Sequence, residues 1–275
     1  MAPSAPAAPT FSDVLLAAGK RPLDEDATAK KKNYSQRLSE NFAVLVANKL
    51  RATGSFNGIL PHADGTGQES KSVSGAHKKL KKTDVRYGTY DGGLELLASI
   101  KTLNFKNSRI EKGVLKVGRY TKNMVRNDHE LRAEAMEHHE RFPFSVLIAL
   151  FLMPIDSCND GLAEISSFAH AILTFRPRAG RKIPTDPDQL FERFFIGLYE
   201  HDGLGEGEIG FHDVSQDRPP RRGRPADLLN LDQMIAEIIK TYGVRNRRYM
   251  EWAEEDASLP DLEAPSDDEP EDEDD

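Results

Sequence analysis

Three residue types in one short stretch of the chain could do chemistry together. Asp84 stands in the extended run Thr83-Asp84-Val85-Arg86-Tyr87, and Ser99-Ile100-Lys101 lies in a second run, Leu94 to Phe105, opened by Gly92-Gly93. The two runs read as antiparallel strands with a short connection. Counting by two along the second puts Lys101, Ser99, Leu97 and Glu95 on one face and Ile100, Ala98 and Leu96 on the other. A buried amine thus sits beside a small hydroxyl, within reach of Asp84, and a buried lysine requires such a partner. A carboxylate is a hard ligand for a cation and an ammonium can hold an anion, so the three groups could manage opposite charges at one site. The bland alternative is an ion pair between adjacent strands.

Two helices offer further carboxylates. Glu130, Glu134 and His138 recur at i, i+4 and i+8 and share a helix face, with Glu137 near it. Glu40, on the first long helix, stands beside Ala43, Val44 and Ala47, small neighbours that let it approach a sheet. Glu95 shares the strand face of Lys101 but lies about 20 Å along the strand at ~3.3 Å per residue, too far to serve.

The Asp84 and Ser99-Ile100-Lys101 pattern resembles the PD-(D/E)xK nuclease superfamily of restriction-endonuclease-like proteins. There, an acidic residue on one strand is followed by an acidic-x-lysine tripeptide on the next. Thr83 stands where proline would be and Ser99 where the second acid would be. A serine at that position is found in restriction endonucleases of the superfamily whose missing carboxylate comes from a nearby helix. Members of the superfamily take this acid from the first helix or from a later one, so the resemblance implies that Glu130, Glu134 or Glu40 completes the site, with the later-helix pair slightly favoured. It implies Mg²⁺ (or Mn²⁺) held by Asp84, a helix glutamate such as Glu130 and the backbone carbonyl of Ile100. Lys101 would hold the attacking water or polarise the scissile phosphate, and Ser99 would hydrogen-bond a coordinated water. The run Tyr120-Thr121-Lys122-Asn123, then His129 to Ala135, then the apolar strand from Phe144, looks like the core of the same proteins, so the likeness covers residues 35 to about 215.

What the resemblance implies is an α/β protein with a restriction-endonuclease-like mixed β-sheet flanked by α-helices. Its activity would be that of a Mg-dependent endodeoxyribonuclease in restriction or anti-phage defence, acting on DNA as a homodimer, with a further partner subunit of a defence system. The main alternative is a non-catalytic DNA-binding module of the same fold that has lost its second acid at Ser99. A third reading is an interaction protein whose acidic tail binds a basic partner.

Charge supports a polyanionic partner once it is divided along the chain. Of 45 Asp and Glu, 14 fall between Glu251 and Asp275 with no Lys or Arg, so the tail is −14 and the preceding 250 residues are +6. Lys78, Lys79, Lys81 and Lys82 form a basic cluster, and Lys122 with Arg109, Lys112 and Lys116 could track phosphates. In Pro219-Pro220-Arg221-Arg222-Gly223-Arg224-Pro225, the Arg-Gly-Arg-Pro core resembles an AT-hook, with Arg221, Arg222 and Arg224 able to enter a narrow minor groove. The competing reading is a Pro-rich linker that caps the last helix.

The elements that must position these groups follow from periodicity. Residues 1–33 are expected to be a largely disordered segment outside the core, with a short helix at Phe11 to Ala18; residues 34–250 form the domain; residues 251–275 form a disordered acidic tail. Helices are expected from Ser35 to about Arg51, Asn127 or Asp128 to Arg141, Gly161 to Phe175 and Asp227 to Tyr242. Phe144 to Met153 is the expected central strand, covered on both faces. Leu190 to Glu200 and Glu208 to Val214 form a late strand pair, and Phe56 to Leu60 a short strand. The longest apolar run, Val146 to Pro154, is far short of the ~20 residues that span a bilayer. With no signal-like start and a single cysteine, Cys158, a reducing cytoplasm is expected. Cys158 reads as a packed thiol rather than a nucleophile paired with His170, and no Gly-rich phosphate loop, dinucleotide fingerprint or HExxH motif is present.

Overall fold

The computed structural model describes residues 9–68, 71–73, 80–90, 92–161, 163–216 and 220–256. Its centre is a five-stranded mixed sheet. The strands are β3 (Val85–Thr89), β4 (Gly93–Thr102), β7 (Val146–Pro154), β8 (Arg193–Tyr199) and β9 (Ile209–Asp213), lying in that order across the sheet. β4, β7 and β8 run parallel, and β3 and β9 are antiparallel at the edges. Two small ribbons lie outside it: β1 (Lys71–Val73) with β2 (Leu80–Lys82), and β5 (Ser108–Glu111) with β6 (Val114–Val117).

Period two divides the sheet between two apolar layers. Leu96, Ala98 and Ile100 of β4 and Val146, Ile148, Leu150 and Leu152 of β7 pack on helices α1 (Phe11–Ala18), α2 (Thr28–Ala52) and α5 (Leu231–Asp256). Leu97 and the odd residues of β7 face α3 (Met124–His139) and α4 (Ser167–Phe175). β7 is buried along its whole length, as a central strand of continuous Val, Ile, Leu and Phe must be. The mixed α/β architecture with flanking helices thus stands as expected.

Several boundaries differ for physical reasons. Residues 11–18 belong to the core: Phe11, Val14, Leu15 and Ala18 are buried, with Phe11 5.8 Å from the Phe42 ring and 5.5 Å from that of Tyr199. Thr10 and Asp13 close a capping box at the start of α1. α2 begins seven residues before Ser35, which is no N-cap; its hydroxyl accepts a hydrogen bond from Asn104 Nδ2 at 2.9 Å. Leu60 makes only an isolated bridge to Arg86, so Phe56 to Leu60 is a turn and not a strand. α3 starts a turn early because Asn123 takes the left-handed conformation (φ 70°), which Asn tolerates. α4 starts late, at Ser167, where Ser166 caps the helix and Asp160 accepts the Ser167 N–H at 2.8 Å. Residues 107–123 hold the β5–β6 hairpin, whose turn residues Lys112 (φ 52°) and Gly113 (φ 78°) both have the positive φ a two-residue hairpin needs. α5 runs through Glu251 to Asp256, so the expected boundary at 250 falls inside a helix. Residues 1–8 and 257–275, including most of the acidic tail, lie outside the described residues. Among the described residues, no helix is long and apolar enough to cross a membrane.

Candidate active site

The register of β3 on β4 fixes the first half of the site. Val85 lies opposite Ala98, so Asp84, one residue before β3 begins, falls opposite Ser99 and on the same face. Its carboxylate Oδ2 accepts the Ile100 N–H at 2.7 Å. In a strand, a residue's N–H and C=O leave on the same side, so the Ile100 carbonyl also points toward the Asp84 edge.

The second half comes from α3, which lies on the face toward which Leu97 and Ser99 project. Glu134 on this helix accepts the Ser99 hydroxyl on Oε1 at 2.8 Å and pairs through Oε2 with Lys101 Nζ at 3.3 Å. Ser99 is fully buried and the Glu134 side chain is 14% exposed, so this is a largely enclosed charge cluster.

The electrostatics follow from that enclosure. Burial disfavours the Lys101 ammonium, but the carboxylates of Glu134 and Asp84 outweigh it and hold the pKa above the usual lysine value. Burial likewise works to raise the Glu134 pKa. The Lys101 ammonium, the Ser99 hydroxyl and His138 one turn along the helix reverse this and hold it below the usual glutamate value. At neutral pH the pair is therefore ionised, and the Asp84 carboxylate adds to the field at the ammonium.

The other expected carboxylates do not converge in the same way. Glu130 is 42% exposed and accepts from Arg126 Nε at 2.7 Å, reaching Lys101 only through its field. Glu40 sits on α2, against the opposite face of the sheet, where its Oε1 accepts from Gln36 at 3.1 Å. The preference for a carboxylate from the later helix therefore narrows to Glu134. Among the described residues, no group of three or more His, Cys, Asp and Glu side chains is gathered to hold a metal. The available oxygen donors are Asp84, Glu134 and the Ile100 carbonyl. That set suits Mg²⁺, which is commonly bound by one or two carboxylates and keeps several waters.

The expected nucleic-acid contacts are scattered. Lys78 and Lys79 lie outside the described residues, Lys81 and Lys82 are on β2, and Lys122 is exposed just before α3. The Arg-Gly-Arg-Pro loop is seated on the protein and is no free arm. Arg222 donates to Asn159 Oδ1 at 3.1 Å and to the carbonyls of Ala163 at 2.6 Å and Gly161 at 2.8 Å. Arg221 pairs with Glu164, and Arg224 lies 3.7 Å from Glu200. Cys158 is buried, and burial pushes its thiol up to about 12, far from a nucleophile's range.

Sequence reasoning missed a basic cleft at the end of β4. It has a volume of about 900 Å³ and is lined by Lys31 and Lys32 of α2, Lys106, Lys122 and Arg126. The Lys30-Lys31-Lys32 run was the available signal, hidden by its placement in a segment expected to be disordered. Comparison with family models, curated proteins and solved structures finds no match to this chain.

Proposed function

We propose that this chain is a metal-dependent nuclease of restriction-endonuclease-like type that hydrolyses DNA phosphodiester bonds, with Asp84, Ser99, Lys101 and Glu134 as its site. The observation that carries the reading is the reach of Glu134 from α3 to both Ser99 and Lys101 of β4. It supplies, beside Asp84, the carboxylate that the Ser99-Ile100-Lys101 tripeptide lacks.

In this reading Asp84, Glu134 and the Ile100 carbonyl would hold Mg²⁺ or Mn²⁺. The bound metal would supply charge neutralisation at the phosphate and a lowered pKa for water. Ser99 fixes the Glu134 carboxylate by its hydrogen bond and so orients the second acid. Lys101, kept protonated by the carboxylates of Glu134 and Asp84, presents an ammonium to the scissile phosphate or to the water that attacks it. One such site serves one strand, so a homodimer or repeated nicking would be needed to cut a duplex.

A non-catalytic DNA-binding module is the second reading, favoured by the fact that both Glu134 oxygens already have partners within the fold. Cleavage of supercoiled plasmid by the full chain with Mg²⁺ or Mn²⁺, beside Asp84→Ala, Lys101→Ala and Glu134→Gln, separates the two. Cleavage lost in all three variants while DNA binding persists supports the nuclease. Wild-type protein that binds and never cuts supports the module.

A further inference from the structure

The basic cleft opens where β4 ends, between the start of α2 on one side and the β5–β6 hairpin with the start of α3 on the other. Its rim is held by Asn104, buried at the turn after β4. Asn104 donates to Ser35 of α2 and accepts from Tyr199 of β8 at 2.9 Å each, while its carbonyl accepts from Arg21 at 2.7 Å. Lys31, Lys32, Lys106, Lys122 and Arg126 line the cleft against only two acids, Glu25 and Asp26, so it carries a net +3.

The cleft is connected to the acidic cluster by one helix stripe. Arg126, Glu130 and Glu134 follow at intervals of four on α3, and their side-chain exposure falls from 74% to 42% to 14% on the way inward. Eight residues at ~1.5 Å rise separate Arg126, at the cleft, from Glu134 by about 12 Å along the helix axis. That separation spans a few nucleotides of one strand at most.

Size decides what such a cleft can admit. A volume of about 900 Å³ is on the scale of a drug-sized ligand or a short stretch of one strand. The cleft therefore matches a short stretch of one phosphodiester strand better than a helical turn of duplex. We propose that this cleft is the track for a single nucleic-acid strand, gripping its phosphates a few nucleotides from the bond presented to Lys101 and Glu134. The binding part stands on the cleft, and the position relative to the cut bond rests on the nuclease reading.

The test uses the full chain with Lys32, Lys122 and Arg126, all exposed, changed together to alanine. A second variant carries Lys182→Ala and Lys240→Ala, exposed cations outside the cleft. Binding of a fluorescein-labelled oligothymidylate of about 20 nucleotides is followed by anisotropy in EDTA, beside a duplex of equal length. Thermal unfolding of each variant verifies the fold. The proposal expects the single strand to bind more tightly than the duplex. It expects the cleft variant to bind the strand about 10-fold or more weakly at 0.1 M salt, with a salt slope shallower by about 2, from ~0.7 per lost contact. The variant outside the cleft should match wild type.

Equal losses in both variants, no loss in the cleft variant, duplex binding as tight as single-strand binding, or no binding by wild type would each overturn the cleft. Cleft-dependent binding with no metal-dependent cleavage would leave the cleft standing and remove the nuclease reading. Cleavage that survives intact in the cleft variant would do the reverse.

Discussion

Ser99 and Glu134, 35 residues apart in the chain, are joined by a hydrogen bond of 2.8 Å between the sheet and α3. The same carboxylate reaches Lys101 at 3.3 Å, so one glutamate ties a hydroxyl and an ammonium that β4 presents two residues apart. This relationship discriminates among the candidate acids. Glu134→Gln keeps the shape and a hydrogen bond to Ser99 but removes the charge. Cleavage by this variant should fall at least ~100-fold, the scale of losing one electrostatic contribution in an enclosed site. Glu40→Gln, on the opposite sheet face, should cut within a fewfold of wild type. Parallel plasmid assays at equal protein concentration check both, and a Glu40 variant as inactive as the Glu134 variant would overturn the assignment.

The ion pair also gives stability a pH dependence of known sign. Glu134 has a folded pKa below its ordinary 4.5, so its contribution is present above that value and is lost as pH falls through the lower folded one. Lys101 has a folded pKa above its ordinary 10.5, so its contribution is present below 10.5 and is lost as pH rises through the folded value. Between those limits the pair contributes fully. Thermal unfolding from neutral to acid pH should show wild type losing stability below about pH 4.5 by more than Glu134→Gln does. Identical acid limbs for the two proteins would contradict the assigned direction.

A second buried acid serves the fold. Glu192, 1% exposed, accepts the Leu147 N–H at 2.7 Å and lies 3.4 Å from Arg181, 3.2 Å from Arg245 and 3.5 Å from His139. It joins the starts of β7 and β8 to α3 and α5. Glu192→Ala strands buried cations and an amide, a change that costs about 3–5 kcal/mol. Urea unfolding should show a large drop in midpoint, whereas Glu140→Gln, exposed just after α3, should shift it little.

The parts legible in the sequence were those fixed by period alone. Alternation put Ser99 and Lys101 on one strand face and Ile100 on the other, and the continuous apolar run identified β7 as central. The choice between Glu134 and Glu40 was not legible, because each helix carries its carboxylate on a plausible face. Only tertiary packing decides that α3, and not α2, covers the Ser99 face. The N-terminal segment failed for a related reason. Phe11, Val14, Leu15 and Ala18 follow i, i+3, i+4, i+7, a helical signature, but eight residues amid Pro, Ala and Lys are too few to outweigh a disordered composition. Lys31 and Lys32 fall in the same stretch, so its composition hides the cleft they line.

Cys158 offers a probe of global opening. It is buried, with a thiol pushed up to about 12 by burial, so thiolate is scarce in the native state at ordinary pH. A disulfide reagent such as dithionitrobenzoate at pH 8 should label no thiol in folded protein and one per chain in urea. Fast labelling without denaturant would mean that the 155–166 segment opens freely.

Arg222 supplies the last prediction, because two roles for it lead in opposite directions. As part of a minor-groove arm, it would be held for DNA, and Arg222→Ala would weaken binding to A·T-rich duplex while leaving the unfolding midpoint unchanged. In the structure its guanidinium is spent on Asn159, Ala163 and Gly161, and the flanking backbone is stitched to the same segment by Ser166 N–H to the Arg221 carbonyl at 2.7 Å and Gly223 N–H to the Cys158 carbonyl at 2.8 Å. Arg222→Ala should therefore lower stability by about 1–3 kcal/mol, the scale of lost charge-assisted hydrogen bonds. Arg221→Ala, whose side chain is 73% exposed, should be nearly neutral because exposed ion pairs contribute little. Denaturant unfolding beside duplex-binding anisotropy reads both effects in one set of proteins. An Arg222 variant with normal stability and lost A·T preference would restore the arm.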